Sequence, residues 1–199
     1  MKKILLLSAC LLFAFAQANA TQFFVGVKGG IGDNDDNVKN AFSGSYKYSD
    51  DKSILGAEAG FDFDTKKDTT TVGIKVGFNS YGKVDSTDKS VDKDILLKNA
   101  VAVPLTIYIK YAPEPTGFHF WLGGGMTWSS VKFQDDVHSL SDTKDQIYPH
   151  VAAGAEWRPT TYLGVGLDLK YNINAKIETN DIYRDFTGPE AMLAVRLYI

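Results

Sequence analysis

Charged residues recur in this chain on the polar rows of segments that alternate every second residue, set among glycines, threonines and apolar side chains. Lys28, Glu58, Lys75, Asp168 and Lys170 form one group; Asp62, Lys110, Glu156, Arg158 and Arg196 form a second. Both signs are present in each. Ions enclosed in a packed interior need partners, because an unpaired buried charge costs several kcal/mol. Glu58 with Lys75, and Asp168 with Arg196, are the expected pairs. Such a network has two uses. It can fill and fix a core, or it can lay out a gated path for ions.

Other chemistries find less support. His119, His138 and His150 are far apart in the chain, and Cys10 is the one cysteine, so no metal site is expected. Asp33, Asp35 and Asp36 lack the glycine and distal glutamate spacing of a calcium loop. They read as solvated charges. The net charge is −3, and no basic stripe is present, which argues against nucleic acid as a partner. No cofactor motif is present.

The elements that carry the charges are strands. From Thr161 onward, Leu163, Val165, Leu167, Leu169, Tyr171 and Ile173 fall on one face, and Gly164, Gly166, Asp168, Lys170, Asn172 and Asn174 on the other. A helix would scatter that apolar set around its axis. Seven more segments alternate in the same way, starting near Phe23, Leu55, Val72, Val101, Phe118, Ile147 and Leu193. Each is near the length of about 9–11 residues that a tilted strand needs to cross a bilayer. The connections alternate too. Asp33–Lys52, Gly82–Asp94, Lys132–Asp145 and Glu178–Gly188 are long and polar, while Asp64–Asp68, Ala112–Gly117 and Arg158–Thr161 are short. An even strand number then puts both termini of the barrel on the short-turn side.

The first twenty residues read as an export signal. Lys2 and Lys3 precede the apolar run Ile4 to Ala16, and Ala18-Asn19-Ala20 is a small-x-small cleavage site. Leu7-Ser8-Ala9-Cys10 resembles a lipobox, but the apolar stretch ahead of Cys10 is short for that use. The expected division is therefore residues 1–20 as a removed signal peptide and 21–199 as one domain. Cleavage would remove Cys10, leaving no disulfide. The remaining chain holds no apolar run long enough for a membrane helix. A membrane-spanning form must be a closed sheet.

Alternation alone does not say which face meets lipid, since a soluble barrel buries its apolar face. Three features point outward. The polar face is rich in Gly, Ala and Thr with charges of both signs, which suits a crowded interior. The apolar face is nearly free of charge, where one midplane Lys or Arg would cost about 2–4 kcal/mol. Aromatics stand near both ends of it: Phe23, Phe61, Phe63, Tyr111, Phe118 and Trp157 toward the turns, and Phe78, Trp128 and Tyr171 toward the long loops. Two such girdles mark the lipid–water interfaces.

On this pattern the chain resembles the small eight-stranded outer-membrane proteins of the OmpA/OmpX type. The resemblance is one of architecture and covers all of 21–199. It implies an all-β fold, an eight-stranded antiparallel up-and-down transmembrane β-barrel in the cell outer membrane. It further implies a last strand read by the outer-membrane insertion machinery. Leu193, Val195, Leu197 and Ile199 keep the alternation, but the final residue is Ile199 rather than Phe or Trp. Outer-membrane lipids and lipopolysaccharide are the expected surroundings. The acidic loops, with Asp33-Asn34-Asp35-Asp36, Asp50-Asp51 and Asp135-Asp136, could meet an extracellular partner, as could Phe42, Tyr46 and Tyr48. The expected role is structural or surface-interacting, with a narrow porin-like channel as the first alternative. A lipid-modifying enzyme is the second. Lipid A deacylases carry His and Ser two apart on a strand face. Here Ala152 follows His150 at that spacing, and the adjacent His138 and Ser139 would point to opposite faces of a strand. No catalytic residue is therefore expected.

Overall fold

The computed structural model describes residues 22–32, 35–38, 46–50, 52–64, 69–82, 84–88, 93–135, 140–179 and 182–199. Expectations resting on residues 1–20, Asp33, Asn34, Phe42, Asp51, Asp136, His138 and Ser139 lie outside them.

Thirteen strands are present among the described residues. The first five are β1 (Gln22–Gly32), β2 (Asp35–Val38), β3 (Tyr46–Asp50), β4 (Ser53–Asp64) and β5 (Thr70–Tyr81). Next come β6 (Val84–Asp88), β7 (Lys93–Tyr111), β8 (Gly117–Asp135) and β9 (Leu140–Thr160). The last four are β10 (Leu163–Asn172), β11 (Lys176–Thr179), β12 (Ile182–Asp185) and β13 (Gly188–Tyr198). Eight of them, β1, β4, β5, β7, β8, β9, β10 and β13, pair antiparallel to their neighbours around a closed ring. The ring closes between β1 and β13, with Val27 opposite Val195. Beyond β13, Ile199 and Phe23 exchange backbone hydrogen bonds of 2.8 and 3.2 Å.

The period-two pattern sets the two faces. Val27, Leu55, Leu122 and Leu193 are each more than 60% exposed on the outside of the ring. A water-soluble barrel would hide these residues; here they form the surface that lipid covers. On β8 the outward apolar run from Phe118 to Trp128 is bounded by aromatics at both ends. Tilted by about 35–45°, that run rises roughly 25 Å, the height of a membrane barrel's apolar band. Phe78, Tyr111, Phe118, Trp128, Trp157 and Tyr171 are exposed at the expected girdle positions, and Phe23 and Phe63 are partly so. Phe61 is the exception. It stands opposite Phe23 on the same outward row, yet it is only 3% exposed, with the two ring centroids 5.0 Å apart. Its neighbours cover it, so it props the girdle rather than meeting lipid.

The chain departs from the expected layout on the long-loop side. Strands continue into segments read as loops: β7 and β8 reach 19 residues and β9 reaches 21. β6 extends the β5 line, pairing with β7 and with β3. β2, β12 and β11 form a separate three-stranded sheet. On this extension the faces exchange character. Val131 and Phe133 point inward and are buried, while Lys132 on the alternate row is exposed. They join Tyr148, Ile177, Phe186 and Ile54 in an apolar cluster inside the ring. Above the lipid the outside solvent is water, so the apolar row must turn inward. The turn side is tighter than expected. β9 runs to Thr160, leaving Thr161 and Tyr162 as the turn, where Thr160 Oγ1 accepts the Leu163 N–H at 3.1 Å.

Two local features constrain the ring. Pro104 sits within β7 without an N–H to give, and the β5–β7 ladder skips from Val76–Leu105 to Asn79–Ala102. At Gly125 the neighbouring strand comes so close that a Cβ would lie 1.9 Å from the Leu105 carbonyl oxygen. Gly125→Val should therefore reduce or abolish barrel closure, with a stability loss of about 1–3 kcal/mol or more. The measurement is heat-modifiable gel migration of the membrane-extracted protein across a urea series. The native chain should give a fast-migrating band that the variant loses at lower urea.

Candidate functional site

The interior is narrow, so long side chains from opposite walls meet at its axis. Lys28, Glu58, Lys75, Glu156, Asp168, Lys170 and Arg196 all point inward and are all buried. The structure brings all seven together. Arg196 on β13 is the hub. Its Nε donates to Glu58 Oε1 at 2.6 Å, its Nη1 to Glu156 Oε2 at 2.8 Å, and its Nη2 to Asp168 Oδ2. These carboxylates come from β4, β9 and β10, so one guanidinium ties three other strands to its own. Planar geometry and several fixed donors suit arginine to this, where lysine offers one point of charge. Asp168 Oδ2 also accepts from Lys75 Nζ at 3.0 Å. Glu58 Oε2 lies 3.6 Å from Lys75 and 3.7 Å from Lys28. The expected pairs Glu58–Lys75 and Asp168–Arg196 are thus present, inside a larger network.

Toward the turns the network continues. Arg158 Nε donates to Glu156 Oε1 at 2.7 Å, and its Nη1 to Gln22 at 2.8 Å. Tyr108 donates to Asp62 at 2.5 Å, and Lys110 pairs with the same carboxylate. Toward the loops, Lys170 lies 2.9 Å from Glu190, which accepts from Tyr81 at 2.8 Å and from Asn172 at 2.7 Å. Glu190 was missed in the sequence because the last strand was read from Met192 onward. Extending the alternation back two residues would have found it.

Aromatic rings fill the remaining interior space, again through register. Phe24 lies opposite Gly60, Tyr108 opposite Gly73, and Trp121 opposite Gly154. In each pair the ring lies where a glycine Cβ would stand. Three cations rest on these and neighbouring rings: Lys75 Nζ is 3.7 Å from the Trp121 centroid, Arg158 is 3.4 Å from Tyr198, and Arg196 is 5.9 Å from Phe24.

Neither interior histidine is arranged for acyl transfer. His150 has Thr106 Oγ1 at 2.9 Å from Nε2 and Thr127 Oγ1 at 2.9 Å from Nδ1. Both nitrogens are occupied by hydroxyls, so among the described residues no carboxylate orients the ring through a hydrogen bond. His119 Nε2 donates to the Glu114 carbonyl at 2.8 Å within the Pro-Glu-Pro turn. Among the described residues no group of three His, Cys, Asp or Glu could hold a metal ion.

Among the described residues, three voids stack along the axis from the turn side. The outermost is a recess of about 290 Å³ beside Asp62, Lys110 and Arg158. A gap of about 10 Å³ lies above it, beside Lys110, Tyr198 and Arg196. A cavity of about 20 Å³ at mid-depth is bounded by Lys28, Lys75, Lys170, Thr106 and Trp121. The apolar cluster lies beyond it toward the loops.

The closed antiparallel ring is shared with known proteins. A family model described as "Outer membrane protein beta-barrel domain" matches residues 4–191. The chain belongs to that family. Membership places this barrel in the outer membrane. The N-terminal barrel of Pseudomonas aeruginosa OprF is similar in structure, with a TM-score of 0.55 at 10% identity over 90% of this chain and 98% of that one. OprG of the same organism gives 0.55 at 13% identity, over 91% and 97%. Ail of Yersinia pestis gives 0.53 at 10% identity, over 89% and 98%, and one of its structures holds the heparin analogue sucrose octasulfate. At these identities the likeness is one of fold. No curated protein sequence matches the chain.

The hub generates a test. Arg196→Met leaves three buried carboxylates without their shared cation and should cost this barrel about 3–5 kcal/mol. Arg196→Lys should recover part of that loss. The readout is urea unfolding followed by the fast-migrating band. Adding Glu58→Gln to Arg196→Met should restore stability relative to the single variant, since it removes one stranded charge.

Proposed function

We propose that this barrel is a sealed outer-membrane protein of structural or surface-interaction type, with its strands as anchor and its long loops as the working face. The observation that carries the reading is the filled lumen. At mid-depth the free space is a cavity of about 20 Å³, room for about one small ion or a water or two. The apolar cluster around Phe133, Tyr148 and Phe186 stands between that space and the loops. Among the described residues neither leaves a continuous aqueous path. Residues 1–20 serve as the export signal in this reading, the insertion machinery reads the last strand, and the girdles meet lipid and lipopolysaccharide. The acidic loop sequences suit a cationic partner or divalent ions. The occupied histidines and the missing serine support a non-enzymatic role.

The narrow channel is the second reading, favoured by the three stacked voids and the ladder of ion pairs beside them. Planar-bilayer recording separates the two. The purified protein should show no sustained current. A reproducible current that disappears in Glu58→Gln or Lys75→Met would reject the sealed barrel. Lipid A from cells with and without the protein should give the same mass spectrum.

A further inference from the structure

Below Arg184, the buried side chains of the described interior include six cations and five carboxylates. One positive charge is left over in a narrow space of low polarisability, where an unbalanced ion costs several kcal/mol. The surplus is concentrated at mid-depth. Lys28, Lys75 and Lys170 border the cavity of about 20 Å³ there, against two carboxylates, Glu58 and Asp168. Both carboxylates already accept from Arg196. Lys75 is engaged by Asp168 and by the Trp121 ring, and Lys170 by Glu190. Lys28 is the loosely held one. The carboxylate it approaches, Glu58, is 3.7 Å away, beyond hydrogen-bonding distance. Its ammonium stands 3.0 Å from where a Cβ on Gly77 would lie, and Gly77 is part of the same cavity wall.

We propose that this mid-barrel cavity is a binding site for one small inorganic anion of halide size, held chiefly by Lys28 with Lys75 and Lys170 around it. The volume suits a single monatomic ion and excludes sulfate or an organic acid. The route is from the turn side. The recess at Lys110 shares that residue with the gap above it, and the gap shares Lys75 and Trp121 with the cavity. Among the described residues the apolar cluster blocks the loop side, so the site is a dead end. A bound anion is therefore compatible with a barrel that carries no current, and the two readings fail in different experiments.

Trp121 borders the cavity and reports on it. The chain has three tryptophans, and the other two, Trp128 and Trp157, face lipid. Trp128→Phe with Trp157→Phe leaves Trp121 as the only indole. Bromide quenches indole fluorescence by contact. In liposome-reconstituted protein, bromide should quench Trp121 along a saturating curve. Chloride should displace the effect, and gluconate, too large for the cavity, should not. Lys28→Met in that background should lose the saturating component and leave a linear one. If Lys28→Met gives no fast-migrating band, Lys170→Met asks the same question. Quenching that is linear, that is absent, or that saturates equally with and without Lys28 and Lys170 would overturn the site.

Discussion

Hydrocarbon offers no hydrogen-bond partner to a peptide group, and each unpaired one costs several kcal/mol there. The whole structure follows from meeting that demand with strands. An open sheet would leave two unpaired edges in lipid. Pairing β1 to β13 removes both at membrane depth. Eight strands close into a ring too narrow for bulk water. The missing N–H of Pro104 shows that the demand has some slack, since one gap in a ladder is tolerated where the neighbouring pairs hold register.

The narrow ring turns a surface problem into a packing problem. Every inward residue meets side chains from across the axis, so the lumen behaves as a core whose chemistry is ionic. Arg196 satisfies three carboxylates from three other strands at once. Two of its bonds reach past a neighbouring strand, to β4 and β9, and Lys75–Asp168 joins strands on opposite sides of the ring, so the network resists its flattening. The aromatic–glycine pairs act at a shorter range. Trp121 over Gly154 and Tyr108 over Gly73 fill the space that a missing side chain leaves, on the very rung opposite. Glycine lets the strands curve, and the ring of its partner keeps that position from becoming a void.

The spanning strands were legible because lipid imposes a strict outward rule. Leu163 through Ile173 could be assigned to the outer face residue by residue, and the enclosed set from Lys28 to Arg196 followed as its complement. Pairing was legible only where it follows hairpin order, as for Glu58 and Lys75 on adjacent β4 and β5. That Glu58 would also reach Arg196 depends on side-chain length and on where the ring closes, which spacing does not encode. Phe61 was assigned to lipid because its row faces outward; its cover comes from a cross-strand ring that alternation cannot weigh. The long strands past Trp128 were read as loops because the outward row there becomes polar. Val131 and Phe133 carry the same period with the opposite phase, so a test for outward oil passes over them.

That change of phase has a consequence for assembly. The emerging hairpin of β8 and β9 carries Lys132 and Asp145 on its water-facing side. To reach their final place these ions must cross hydrocarbon once, during insertion. Afterwards they sit in water with Val131, Phe133 and Ile177 packed behind them. Withdrawal would drag the ions back through oil and break open a dry interior in the same step. The hairpin tips are thus barbs: the crossing is made under the guidance of assembly and resists reversal without it.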